Sequence, residues 1–399
     1  MSNQDTLREA TRLTQAGQLA EATALLQRML RGERARAAAS RAPGLIRLPG
    51  RAPPTIDLKA NGVGNAGRAA PAETAAATAR RHRPLFDRAK DGTWLGLRGA
   101  KHTPASMTDI VPEGAKFIDG TYSNKAGSRT YKLFVPSVYH QGQPLPLVVM
   151  LHGCTQSPDD FAAGTRMNFI AEERTCMVVY PAQRGDANPS NCWNWFRAAD
   201  QRRGEGEPSL IAGITRQVMQ DYSVDPKRVF VAGLSAGGAA AAIMGATYSD
   251  LYAAVGLHSG LAYGAATDMP SAFAAMRQGG GAGRRTVPGG WTVPTIVFHG
   301  DRDTTVHPHN GAQAVEHAIG ATRTQKKVYR GQIPGGRWYT RTTHADGERE
   351  IVEHWNIHGA GHAWSGGSPA GSYTDEEGPD ATKEMLRFFL EHPQAPQPC

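Results

Sequence analysis

Cysteine is scarce in this chain, with four residues in 399. That is too few for a disulfide-built scaffold, so the fold must rest on a buried apolar core. No run of about 18 consecutive apolar residues occurs, and no membrane span is predicted. The opening Met1-Ser2-Asn3-Gln4-Asp5 lacks the basic and apolar regions of a secretory signal, which places the expected protein in the cytoplasm. Cys176 opens an apolar, strand-like segment and Cys399 is the last residue. Cys154 and Cys192 remain as a pair to watch, because both lie beside segments assigned below to the site. In an exported protein they would bridge; in a reducing cytosol they would stay thiols.

What is present is unevenly distributed. Residues 1–112 hold 18 of the 44 Lys+Arg and 9 of the 36 Asp+Glu, a net of +9, leaving 26 basic against 27 acidic residues beyond them. The arginines of this third are scattered among Ala, Gly and Pro, so it reads as a solvated linker and no nucleic-acid partner is expected. Ahead of it, Leu7, Ala10 and Leu13, then Leu19, Ala22, Leu25, Leu26 and Met29, recur at helical spacing around Gly17. This predicts a helical hairpin over 1–32, followed by a linker and extended arm over 33–112. One hairpin cannot bury its apolar face alone. Docking on the domain that follows is the first expectation, and another subunit or a polymer granule surface are the others.

From 113 to 393 the pattern is that of an α/β domain. An antiparallel hairpin about Asn124-Lys125-Ala126-Gly127 leads into short, nearly continuous apolar runs at 144–151, 176–180, 229–232, 253–257 and 295–298, the signature of strands buried on both faces. Helical patterns at 158–173, 208–222, 236–246 and 309–317 lie between them, which predicts a mostly parallel, doubly wound sheet. A last strand is expected at 349–357 and a closing helix at 380–390. The stretch 262–291, with Gly279-Gly280-Gly281, is too long for a simple connection and reads as a cap or a surface loop.

The chemistry centres on Gly233-Leu234-Ser235-Ala236-Gly237, placed where a buried strand becomes an alanine-rich helix. Such a turn admits only small residues two positions either side of the serine, and it presents the hydroxyl for attack. A serine nucleophile needs a base, and the base needs a group to hold its tautomer. Both follow in the order Ser…Asp…His: Phe298-His299-Gly300-Asp301-Arg302-Asp303 after one strand, His358-Gly359-Ala360-Gly361-His362 after the last. Asp303, deeper in its loop, is preferred as the acid and Asp301 is read as a turn residue. His362, between Gly361 and Ala363, is preferred to His358 as the base. The backbone N–H groups of Ala236 and Cys154 are the expected oxyanion donors, and His152 is expected to brace its loop. Trp193 and Trp364 are assigned to substrate contact, while Trp195 stands evenly between substrate and core. No metal or organic cofactor is required.

Over about 114–390 the chain resembles the polyhydroxybutyrate-depolymerase-type esterases of the α/β-hydrolase superfamily. The motifs that carry this are Leu151-His152-Gly153-Cys154-Thr155-Gln156, Cys192-Trp193-Asn194-Trp195, Gly233 to Gly238, His299-Gly300 through Asp303, and Gly361-His362-Ala363-Trp364-Ser365-Gly366-Gly367. The resemblance implies hydrolysis of short-side-chain hydroxyalkanoate polyesters or their oligomers, with Ser235 as nucleophile, Asp303 as acid and His362 as base. It also brings an extracellular location, common in the family, as the alternative to the cytoplasm. A feruloyl or acetylxylan esterase on the same fold is the rival reading, and a non-enzymatic granule-binding protein a weaker one. A prolyl-oligopeptidase relative is disfavoured because no propeller-like repeats precede the catalytic part.

Overall fold

The computed structural model describes residues 106–280 and 293–394. The hairpin over 1–32, most of the linker and arm, and 281–291 of the expected cap lie outside the described residues. The described chain begins with a helical turn, α1 (Met107–Ile110), which buries Ile110 and whose Ile110 carbonyl accepts from Asn168 Nδ2 (2.9 Å). The end of the arm is thus anchored rather than extended.

Strands β1 (Lys116–Asn124) and β2 (Gly127–Val135) form the antiparallel hairpin. They are followed by β3 (Leu145–Leu151), helices α2 (Pro158–Thr165) and α3 (Met167–Glu173), and β4 (Met177–Pro181). The single helix expected over 158–173 is two because Arg166 adopts a left-handed backbone (φ 54°) between them. Next come α4 (Gly206–Asp221), β5 (Val224–Leu234), α5 (Ala236–Thr247), β6 (Ala254–His258) and α6 (Met269–Gln278). Helix α6 lies within the expected cap and starts on an Asp268 capping box. Strand β7 (Thr295–Gly300), α7 (His309–Ile319), β8 (Gln325–Gln332), β9 (Trp338–Asp346) and β10 (Arg349–Ile357) follow. Short strands β11 (Trp364–Ser365) and β12 (Thr374–Asp375) and helix α8 (Ala381–Glu391) complete the domain.

One sheet carries ten strands in the order β1-β2-β4-β3-β5-β6-β7-β10-β9-β8. The strands from β4 to β10 run parallel, and the flanking pairs run antiparallel. Alternation along each strand feeds two separate cores. In β5, Val229 and Val231 join Ile211, Ile214 and Met244 on the side of α4 and α5, whereas Phe230 and Ala232 join Phe161, Met385 and Phe389 on the side of α2 and α8. Apolar runs buried on both faces are what such a sandwich demands of its strands. Because the central strands are parallel, the turns that leave the carboxyl ends of β3, β5, β7 and β10 gather at one edge, where a ligand site of an open α/β sheet belongs.

Candidate active site

Ser235 stands between Leu234 of β5 and Ala236 of α5 with φ 57° and ψ −118°. A non-glycine residue held there costs on the order of 1–3 kcal/mol, and the surroundings must enforce it. They do so through Ser235 N–H, which donates to His258 O (2.9 Å), and Ser235 C=O, which accepts from Ala239 N (3.0 Å). The glycines make the turn feasible. A Cβ on Gly237 would stand 2.0 Å from Leu151 O and 2.6 Å from His152 O, and one on Gly233 would stand 2.3 Å from the Gly237 carbonyl carbon. Backbone atoms cannot swing aside as a side-chain tip can. Gly237→Ala is therefore expected to destabilise the domain by about 3 kcal/mol or more, read as a lowered Tm or loss of soluble protein. A near-native Tm would contradict this packing.

The same close approach sets the elbow against the loop after β3. Among the described residues neither the Ala236 nor the Cys154 amide has a hydrogen-bond acceptor, whereas Gly153 N donates to Gln156 Oε1 (2.9 Å) and Thr155 N to Ser190 O (2.7 Å). Two bare N–H groups on either side of a serine turn are the elements of an oxyanion cradle. Cys154 is disulfide-bonded to Cys192, which answers the question that the sequence left between bridge and thiols. A polar cluster backs this loop. The buried Glu207 carboxylate accepts from Asn194 N (2.7 Å), Asn194 Nδ2 (2.7 Å) and Gln183 Nε2, and it lies 3.5 Å from the Arg129 guanidinium. Gln183 in turn donates its amide to His152 Nε2 (3.1 Å) and its side chain to Cys192 O (2.9 Å).

His152 braces that loop as a neutral ring: its Nδ1–H donates to Gly153 O (2.8 Å), and burial pushes its pKa down to about 4. His258, behind the elbow, is likewise pushed down to about 3, by burial first and then by the neighbouring His299 and His362. It accepts from Ser365 N (2.9 Å) and stacks on Trp364 and Phe298. Both native-state values lie below the ordinary 6.5, so the unfolded chain takes up protons that the native rings refuse. Stability is then complete above about pH 6.5 and falls toward pH 4, by up to about 1.4 kcal/mol per pH unit for each ring. A Tm clearly lower at pH 5 than at pH 7.5 is expected, and an unchanged one would contradict these neutral histidines.

At the ends of β7 and β10 the structure brings Asp303 and His362 together: His362 Nδ1 donates to Asp303 Oδ2 (2.7 Å). Asp303 Oδ1 accepts from Thr305 N (2.9 Å) and Val306 N (2.8 Å). Burial pushes the Asp303 carboxyl up, but its contacts with His299 and His362 outweigh that and hold it well below the usual carboxylate range. The carboxylate thus stays charged. A donated Nδ1–H leaves Nε2 of a neutral His362 as the lone pair that can take a proton. His299 is a neighbour to which the sequence reading gave no role of its own. It donates Nε2–H to Val306 O (2.8 Å) and lies 3.5 Å from Asp303 Oδ2. Asp301 and His358, the alternatives for acid and base, bond to each other: His358 Nδ1 donates to Asp301 Oδ2 (2.9 Å).

The substrate contacts assigned to Trp193 and Trp364 are corrected. Both indoles are fully buried and satisfied inside the protein, Trp193 Nε1–H on His152 O (3.1 Å) and Trp364 Nε1–H on Thr382 Oγ1 (2.9 Å). They are core residues because each N–H already has a partner and neither ring has a free face; Trp364 packs on Phe161 and His258. Trp195 is also buried, edge-on to Phe196. Their aromatic character announced large buried surfaces, and nothing in their spacing distinguished core from cleft.

These features define an α/β-hydrolase fold with a serine at a strained strand-to-helix turn. Residues 129–320 match the family described as esterase PHB depolymerase. Poly(3-hydroxyalkanoate) depolymerase C of Paucimonas lemoignei is 34% identical over 227 residues, 54% of this chain and 54% of the relative. Feruloyl esterase B of Neurospora crassa is 28% identical over 221 residues, 51% of this chain and 74% of its own. The chain therefore spans about half the length of the depolymerase it resembles. Among solved structures, an acetyl xylan esterase from Aspergillus awamori superposes with a TM-score of 0.55 at 18% identity, covering 69% of this chain and 99% of that one. That likeness is one of fold.

Proposed function

We propose that the protein is a serine esterase that cleaves ester bonds of poly(3-hydroxybutyrate)-type polyesters or their oligomers. The observation that carries the hydrolase reading is the strained Ser235 turn, at the sheet edge that also holds the Asp303–His362 pair. In this reading His362 Nε2 takes the Ser235 proton as Oγ attacks the ester carbonyl. Cys154 and Ala236 N–H groups hold the resulting oxyanion, and Asp303 stabilises the imidazolium. The oxyanion collapses, the alcohol leaves with the proton returned by His362, and an acyl-serine ester remains. Water, deprotonated by the same imidazole, then attacks that ester, and the acid and free serine are regenerated.

The polyester substrate is favoured by the depolymerase relative of 34% identity. The feruloyl or acetylxylan alternative rests on the relatives named for those activities, at 28% identity. Parallel hydrolysis of a soluble 3-hydroxybutyrate oligomer, amorphous polyhydroxybutyrate, methyl ferulate and acetylated xylan tests the choice. Faster turnover of the hydroxybutyrate substrates is expected, and a preference for ferulate or acetylxylan would overturn the substrate while sparing the machinery. The segment 1–32, whose sequence reads as a helical hairpin, is proposed as the element that meets a granule surface or a partner.

The Cys154–Cys192 bridge supports an oxidising compartment rather than the cytoplasm. Among the described residues no helix is long and apolar enough to cross a membrane. Because the bridge ends on the residue whose amide is assigned to the oxyanion, Cys192→Ser is expected to lower kcat about tenfold or more. Loss of one oxyanion donor outright costs about 10²–10³. The 38-residue separation also implies a stability loss of roughly 4 kcal/mol by loop-closure entropy. Unchanged kcat in this variant would detach Cys154 from the oxyanion role.

A further inference from the structure

The loops that present Asp303 and His362 are joined by a second Asp–His pair, which no step of the proposed chemistry uses. Asp301 opens the acid loop after β7 and His358 opens the base loop after β10. Asp301 accepts from His358 Nδ1 on one oxygen (2.9 Å) and from Gly359 N–H on the other (2.7 Å). His358 Nε2 meets the Thr340 hydroxyl of β9 (2.9 Å), and its own N–H donates to Trp338 O (2.8 Å). The backbones are stitched at the same place, Asp301 N to Ile357 O (3.0 Å) and Arg302 N to Ala360 O (3.0 Å). Arg337 holds the far side, donating Nη1–H to Gly359 O (3.1 Å).

The two pairs differ in their surroundings. The side chains of His362 and Asp303 are 8% and 0% exposed, those of His358 and Asp301 41% and 35%. An exposed ion pair contributes little to global stability, so a stabilising role does not account for a histidine with both nitrogens engaged and a carboxylate with both oxygens engaged. The arrangement instead fixes the entry to the base loop. Gly359 follows with a left-handed backbone (φ 78°), and only two residues, Ala360 and Gly361, separate it from His362. A hinge of that kind needs an outside clamp if the imidazole is to be held to within the few tenths of an ångström that catalysis requires.

We propose that Asp301 and His358 are positioning residues: an outer rung that locks the base loop to the acid loop and sets the His362 imidazole on Asp303. The inference rests on the Ser235-His362-Asp303 reading and adds to it two residues that touch no substrate. Its test uses the full chain with a soluble p-nitrophenyl ester and a fluorophosphonate serine reagent. Asp301→Ala, His358→Ala and the double variant are compared with Ser235→Ala as the blank. In each Ala variant kcat and the rate of serine labelling are expected to fall about 10- to 100-fold, with KM within about twofold and little change in Tm. Because the two residues act as one unit, the double variant should be no worse than the poorer single one. His358→Asn, whose amide N–H can replace Nδ1–H toward Asp301, should recover most of the loss, and it stands in where an Ala variant fails to fold.

Normal kcat in both Ala variants, losses that multiply in the double variant, or a His358→Asn no better than Ala would each overturn the rung. Turnover persisting in Ser235→Ala would instead overturn the triad reading on which the rung depends.

Discussion

Ser235→Ala is expected to lower kcat for any ester substrate by about 10⁴–10⁶, leaving the residual rate that an oxyanion cradle and substrate binding supply without a nucleophile. The magnitude follows from the route. Without Oγ no acyl-enzyme forms, and His362 is left only to assist water directly. The fold should survive, because Ser235 is held by its backbone N–H and C=O, not by its hydroxyl. Alanine tolerates the positive φ of this turn no better than serine does, so the Tm is expected to change by only a few degrees. Steady-state hydrolysis of a p-nitrophenyl ester, with circular dichroism and a thermal melt on the same preparation, decides it. Retained activity would remove Ser235 from the mechanism. Lost activity with a lost fold would show that the hydroxyl also has a structural role.

Much of the parallel core was legible in the sequence, because a strand buried on both faces must be almost wholly apolar, as 229–232 and 296–298 are. The elbow was legible because its geometry admits so few residue types. What escaped reading was set by contacts distant in sequence. Strands β8 and β9 were missed, since β8 (Gln325–Gln332) is exposed along nearly its whole length and presents neither apolar alternation nor an apolar run. The break at Arg166 was missed because arginine is an ordinary helix former with no preference for a left-handed backbone. Glu207, Gln183 and Asn194 form a buried polar cluster from separate stretches of chain, and polar residues at irregular spacing look like surface until their partners are known. The indoles of Trp193 and Trp364 carry the opposite lesson. A tryptophan beside a catalytic motif can brace the backbone that carries the motif, as Trp193 does through His152 O. Asp301 and His358, weighed as alternatives for acid and base, turn out to be each other's partners, a pairing that only the register of β7 on β10 makes visible.

Asp303→Asn is the second large effect expected, a fall in kcat of about 10⁴ with the fold preserved. Asp303 has both oxygens committed: Oδ1 accepts two backbone N–H groups, and Oδ2 accepts from His362 with His299 at 3.5 Å. An asparagine can keep its carbonyl on the two backbone amides. Its NH₂ then faces His362 Nδ1, so the imidazole must present a lone pair there and carry its proton on Nε2, the nitrogen that has to accept from the serine. The base is lost through the wrong tautomer rather than through displacement. The charge is lost as well, so an imidazolium formed during attack has no buried counter-ion. Because the effect acts through His362, it should appear in kcat and in the rate of serine labelling, with KM little changed. The Ser235→Ala/Asp303→Asn double variant should then be scarcely slower than Ser235→Ala alone, since one catalytic unit has been broken twice. Asp301→Asn, made beside it, keeps an acceptor for Gly359 N–H and should lose at most about tenfold. Equal damage from the two asparagine variants would mean that the acid of the triad had been assigned to the wrong rung.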